Sequence, residues 1–294
     1  MKNMKTSLKR FRTSDALELV GLLYEPETST KKVLVHVHGM AGNFYENQFL
    51  DFIAKTLTDN GIAFFAFNNR GCELVKDLVK IEGEKRQIVR IGDAYEKFED
   101  SKLDIRAALD FVESLGFVES HLSGHSLGSP KVAYYVSEQK DERIKSVLFL
   151  SPSDMVGLAK QDKNHEQDVE NAKQLVRENR GNEFMPNLIW EEYIVSANTF
   201  LNLSGENSKV AIFNFYDSSS ELTTLNAINV PVIIIMGRQD GALTVSIEET
   251  MDRVKKALIS SPKVETMILG EANHGYDGYG QQLADVVARW ISGL

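Results

Sequence analysis

Along most of this chain, short β-rich apolar runs alternate with segments of helical period, and that alternation limits the fold more than any other feature. Residues 33–37 form one such run. They are followed by an apolar-periodic stretch over residues 49–57, a helix stop at Asn60-Gly61, and a buried-looking strand over residues 62–67. The unit then repeats. A helix over residues 103–115 ends at Gly116, a strand lies near residues 118–122, a helix covers residues 127–137, and residues 146–150 form the next strand. Later come a strand at 232–236, a helix at 247–259, a strand at 264–269 and a final amphipathic helix at 281–291. Parallel neighbours need crossover connections that cover the sheet, so this order predicts a mostly parallel sheet with helices on both faces. Residues 17–24 alternate as an antiparallel strand would, and Pro26 and the polar residues after it end that strand.

The rhythm breaks between Asp154 and Ile228, a long stretch of helical composition with an aromatic group in Phe184, Trp190, Tyr193 and Phe200. We expect a core made of residues 1–153 and 229–294, with residues 154–228 inserted as a helical lid. The 294 residues are 43% hydrophobic and 26% charged, which suits one large core with such an insertion. Formal net charge is -9 and the basic residues are scattered among acidic ones, so no stripe for tracking phosphates emerges and nucleic acid is not expected as a partner. The single cysteine, Cys72, excludes an intrachain disulfide and suits a reducing compartment. Residues 1–11 lack the apolar run of a signal peptide, and no run of about 18 apolar residues occurs anywhere. We therefore expect a cytoplasmic protein with no membrane span; the sequence says nothing about its oligomeric state.

Gly124-His125-Ser126-Leu127-Gly128 fits the G-x-S-x-G turn in which a serine is lifted clear of a sheet, and it stands after an expected strand and before an expected helix. A serine hydroxyl is a weak nucleophile near neutral pH. It needs a base, most often histidine, held in one tautomer by a carboxylate. Asp240 in Gly237-Arg238-Gln239-Asp240 and His274 in Ala272-Asn273-His274-Gly275 each lie a few residues past an expected strand. In a parallel sheet such loops emerge at one edge, so Ser126, Asp240 and His274 should converge there. Taken singly, each has a plainer explanation, for Asp240-Gly241 can serve as a turn and His274-Gly275 as surface loop. His38-Gly39-Met40-Ala41-Gly42-Asn43 follows residues 33–37 toward the same edge, where the Met40 and Leu127 amides would form an oxyanion hole.

These four segments, HGMAGN, GHSLG, GRQD and ANHG in chain order, resemble the α/β-hydrolase superfamily, particularly its esterase and acyl-hydrolase members. The resemblance covers nearly the whole chain, since residues 15–26 look like that family's opening strands and Asn68-Asn69-Arg70-Gly71 like the loop after its next parallel strand. It implies an eight-stranded, mostly parallel sheet, a lid inserted after the sixth strand, and hydrolysis without a cofactor. Two departures stand out: residues 118–122 are more polar than a buried strand usually is, and Ser129 replaces the second glycine common after the motif.

The expected activity is cleavage of a small carboxylic ester through an acyl-enzyme on Ser126. Thioesterase, lipase, peptidase and acyltransferase chemistry would use the same three residues, and a non-catalytic binding protein would keep the fold without needing them. Asp154 also follows an expected strand and is the alternative acid, although helix capping explains it equally well. Phe184, Met185, Trp190 and Tyr193 are candidates for lining a substrate pocket, with packing as the competing role. No histidine pair has the helical spacing of a zinc hydrolase, and neither a nucleotide P-loop nor a G-x-G-x-x-G turn is present. No metal or cofactor is expected.

Overall fold

A computed structural model describes residues 4–190, 192–205 and 208–294. Eight strands form the main sheet: β1 (Lys5–Arg12), β2 (Glu18–Glu25), β3 (Lys32–Val37), β4 (Ala63–Asn68), β7 (Glu119–His125), β8 (Ile144–Leu150), β9 (Val232–Met236) and β10 (Val264–Ile268). Their order across the sheet is β1-β2-β4-β3-β7-β8-β9-β10, with β1, β2 and β4 joined antiparallel and everything from β4 to β10 parallel. The separate pair β5 (Lys76–Glu82) and β6 (Lys85–Ile91) forms an antiparallel hairpin. We had no expectation of this hairpin, nor of β1.

Each central strand divides its side chains between two cores, as the two-residue period of a strand dictates. Val33, Val35 and Val37 face one core and Leu34 the other; Val147 and Phe149 face the first, Leu148 and Leu150 the second. The first core is closed by α2 (Ser101–Ser114), α3 (Gly128–Gln139) and α7 (Ile247–Ala257), through residues such as Leu109, Val132 and Val254. The second is closed by α1 (Phe49–Asp59) and α8 (Gly280–Ser292), through Ile53, Leu57, Leu283, Val287 and Ile291. A fully buried aliphatic side chain of this size contributes about 1.5 to 3 kcal/mol, so these helical stripes hold the layers together.

The polarity of β7 has a specific cause. His36 on β3 is the register partner of Ser123, and His121 is the partner of Ser146 on β8. In both pairs the imidazole Nδ1 meets the hydroxyl, at 2.9 and 2.7 Å. The strand's polar side chains therefore pair across the sheet through one ring nitrogen of each histidine, while Nε2 of both rings has no hydrogen-bond partner among the described residues.

The stretch between β8 and β9 carries α4 (Met155–Gln161), α5 (His165–Arg177) and α6 (Ala197–Ser204). Part of it has its own small core, in which Ala172, Met185, Ile189, Val195 and Phe200 are packed together.

Candidate active site

From β3 the chain crosses outward to β4, and it later returns to the other side of β3 as β7. The strand order reverses there, and ligands of open α/β sheets bind in the crevice beyond the strand ends at such a point. The loop after β3 and the turn after β7 flank this crevice.

Ser126 sits in that turn with φ of 53°, a left-handed conformation that a non-glycine residue adopts only when its surroundings enforce it. Its amide donates to the Leu150 carbonyl at the end of β8. The turn closes so tightly that a Cβ on Gly124 would overlap the Gly128 carbonyl, and one on Gly128 would overlap the carbonyl of Val37. The hydroxyl of Ser129, the residue that departs from the family pattern, donates to the Gly124 carbonyl at 2.6 Å. Leu127 then leads directly into α3, which begins at Gly128 and so starts two residues after Ser126.

Asp240 and His274 come together because the backbone continues the pairing of β9 with β10 past the strand ends. The Gln239 amide donates to the Ala272 carbonyl, and Gln239 bridges to Asn273 in parallel register. Beyond that bridge, His274 Nδ1 lies 2.8 Å from Asp240 Oδ1, with the Asp240 side chain fully buried. Burial pushes the Asp240 acid up, but the hydrogen bond and charge of His274 outweigh it, and the pKa falls below the ordinary carboxylate value. An ionised Asp240 can only accept, so Nδ1 carries the proton and Nε2 keeps a lone pair. Ser126 and His274 line one cavity of about 890 Å³, although their side chains make no hydrogen bond to each other here.

One of the remaining histidines supports this arrangement. His125, next to the serine, donates from Nε2 to the His274 carbonyl at 2.8 Å, and the two rings lie 4.9 Å apart. Burial, with the neighbouring His274 second, lowers its pKa to about 3, so it stays neutral at any ordinary pH. Nothing in the motif alone distinguished this role from simple packing. The loop after β3 runs close to the serine, and a Cβ placed on Gly39 would lie 2.7 Å from that of Ser126 and 3.3 Å from the Leu127 nitrogen. Among the described residues, neither the Met40 nor the Leu127 amide donates to a protein acceptor.

Asp154 takes no part in this cluster. It caps α4, accepting from the amides of Gly157 (2.8 Å) and Tyr216 (2.7 Å) and from the Thr244 hydroxyl (2.6 Å). Of the four candidate pocket residues, Trp190 and Tyr193 line the cavity. Phe184 and Met185 do not. Phe184 is 44% exposed and packs on Tyr95, while Met185 is buried in the small core of the 154–228 stretch. Met155, Leu158, Leu188 and Gln161 also line the cavity. No periodic signal could have singled them out, because they lie in short helices and irregular turns. Among the described residues no group of three or more His, Cys, Asp or Glu side chains could hold a metal ion, and no helix is long and apolar enough to cross a membrane.

The family model of the alpha/beta hydrolase fold matches residues 32–275. No curated protein sequence matches the chain. Among solved structures, Est1E from Butyrivibrio proteoclasticus, with ferulic acid bound, superposes with a TM-score of 0.65 at 18% identity, covering 96% of this chain and 98% of that one. The Pyrococcus furiosus esterase Pf2001 gives 0.61 at 16% identity, over 98% and 91%. DcsB in complex with its substrate analogue gives 0.70 at 14% identity, over 98% and 99%. Likeness at such identities establishes the fold. Strand order, serine turn and family match together place this chain in the α/β-hydrolase fold family.

Proposed function

We propose that the protein is a serine esterase that cleaves small carboxylic esters through an acyl-enzyme on Ser126. The observation that carries this reading is the hydrogen bond from His274 to a buried, ionised Asp240, which leaves Nε2 of His274 free on the cavity wall it shares with Ser126. His274 takes the hydroxyl proton as Ser126 attacks the ester carbonyl. The imidazolium so formed is stabilised by Asp240, and it returns the proton to the departing alkoxide. Met40 and Leu127 supply the two amides for the tetrahedral oxyanion, each contributing about 3 to 4 kcal/mol of transition-state stabilisation. Water then attacks the acyl-enzyme with the same base, releasing the acid and restoring Ser126.

Residues 154–228 act as a lid in this reading, since Met155, Leu158, Leu188, Trp190 and Tyr193 from that stretch line the same cavity as Ser126. These apolar walls suit the acyl or alcohol part of a small organic ester. Ester chemistry is also what the fold neighbours Est1E and Pf2001 point to, the first holding a carboxylic acid. The lone buried cysteine agrees with a cytoplasmic setting. A panel of p-nitrophenyl esters of increasing acyl length, acyl thioesters and short peptides, run beside Ser126→Ala, tests the proposal. We expect fastest turnover on a short-chain ester and loss of activity in the variant. A chain that prefers thioesters or peptides by more than tenfold would overturn the ester assignment.

A further inference from the structure

Behind the loop after β3 lies a buried ionic cluster that the proposed reaction does not use directly. Lys131, on the inner face of α3, is fully buried, and its Nζ lies 2.5 Å from Glu96 Oε1. Asp93 is equally buried. Burial, reinforced by Glu96, pushes the Asp93 acid well above the usual carboxylate range. A buried ion pair rarely stabilises a fold more than apolar packing would, so its presence calls for another effect.

Atom by atom, the cluster leads to the oxyanion loop. Lys131 Nζ is 3.5 Å from Asn69 Oδ1, which also accepts from the Gly71 amide. With its oxygen so directed, Asn69 turns Nδ2 to the His38 carbonyl, at 3.3 Å. The Asn69 backbone amide donates to His38 Nε2 at 3.0 Å, which leaves the ring proton on Nδ1, and Nδ1 donates to the Gly39 carbonyl at 2.8 Å. Burial, with Lys131 second, lowers the His38 pKa to about 3, so that tautomer persists. In a trans peptide the carbonyl and the following N–H point in opposite directions. Holding the Gly39 carbonyl toward His38 therefore aims the Met40 N–H away from His38, and Met40 is on the cavity wall with Ser126. The same segment is fastened to α6, because the Ala94 carbonyl accepts from the Ser196 amide (2.8 Å) and the Glu96 carbonyl from the Thr199 hydroxyl (3.1 Å).

We propose that Lys131 and Glu96 are positioning residues, which act through Asn69 and His38 to fix the Gly39–Met40 peptide and so preset the oxyanion amide. This rests on the serine-hydrolase reading. The test pairs Lys131→Met with Glu96→Gln in one chain, so that no lone charge stays buried, and makes Asn69→Ala separately, which removes the side-chain bonds to Lys131 and to the His38 carbonyl and keeps both the ion pair and the backbone bond to His38 Nε2. Each variant is assayed with p-nitrophenyl butyrate and with a fluorophosphonate, whose phosphoryl oxygen occupies the same amides. We expect kcat to fall about 10- to 100-fold with KM within about threefold, and phosphonylation to slow by a similar factor; outright loss of an oxyanion donor costs roughly 100- to 1000-fold. A folded double variant with kcat within about twofold of the parent, or a loss confined to KM, overturns the proposal. Should the double variant fail to fold, Asn69→Ala with full kcat overturns it. A parent protein that neither hydrolyses esters nor reacts with the phosphonate would refute the hydrolase reading itself, a result distinct from an active parent with unaffected variants.

Discussion

Replacing Asp240 by asparagine should cost far more activity than the same change at Asp154, although both are buried carboxylates at the ends of sheet strands. Asp240 Oδ1 lies 2.8 Å from His274 Nδ1. When His274 takes the serine proton, the new charge centre forms about 4 Å from the carboxylate. At an effective dielectric constant of about 20, that separation corresponds to roughly 4 kcal/mol of attraction, present in the transition state and small in the ground state. Each 1.36 kcal/mol is tenfold in rate, so Asp240→Asn should lower kcat on an activated ester by about 10³. The asparagine amide also favours the wrong imidazole tautomer, which adds to the loss. Asp154 spends its oxygens on Gly157, Tyr216 and Thr244, away from His274. Asp154→Asn should cost about 1 to 3 kcal/mol of stability and change kcat by less than about tenfold. Steady-state kinetics with thermal melts on both variants separates the two roles. If Asp240→Asn keeps more than a tenth of the parent kcat, or if Asp154→Asn proves the more crippled catalyst, the charge argument fails.

Acid should destabilise the protein well above the carboxylate range. His36, His38, His121 and His125 are all buried with lowered pKa values, to about 3 for His38 and His125 and about 4 for His121. Below their ordinary value near 6.5 the unfolded chain binds more protons than the folded one, so stability falls with pH by up to about 1.4 kcal/mol per unit for each histidine. Melting temperature should drop steadily from pH 7 to 5, and a flat profile would contradict the buried-neutral assignment. Gly124→Ala should lower stability by more than about 2 kcal/mol or abolish soluble expression, since its Cβ has no space beside Gly128; a parent-like melting curve would show that the turn is looser than described. Cys72, buried and pushed up to about 12, should resist iodoacetamide at pH 8 while the protein stays folded, and Cys72→Ala should keep full activity.

What the sequence disclosed was the parallel part of the fold, because a strand buried on both faces reads as a continuous apolar run, as in Val232 to Met236. β1 is an exposed antiparallel edge carrying Lys5, Lys9, Arg10 and Arg12, so it has no such run. The hairpin Lys76–Ile91 turns at Gly83, but its alternation is masked by lysine, arginine and glutamate on a largely exposed pair of strands. Ser126, Asp240 and His274 could be proposed as candidates because turn motifs and their place after strands are local signals. Lys131 and Asn69 lie 62 positions apart, and a lysine in a helix ordinarily reads as solvated surface, so the network behind Met40 was not legible. Phe184 and Met185 were chosen for their chemical type alone, and only packing decides which aromatic of an irregular segment faces a cavity.

Intact-protein and peptide mass spectrometry after brief exposure to a fluorophosphonate measures the reactivity of Ser126 most directly. The account predicts one adduct per chain, carried by the peptide containing Ser126, absent in Ser126→Ala and strongly slowed in His274→Ala. An adduct on another residue, or a Ser126→Ala variant that labels and hydrolyses esters as the parent does, would contradict it.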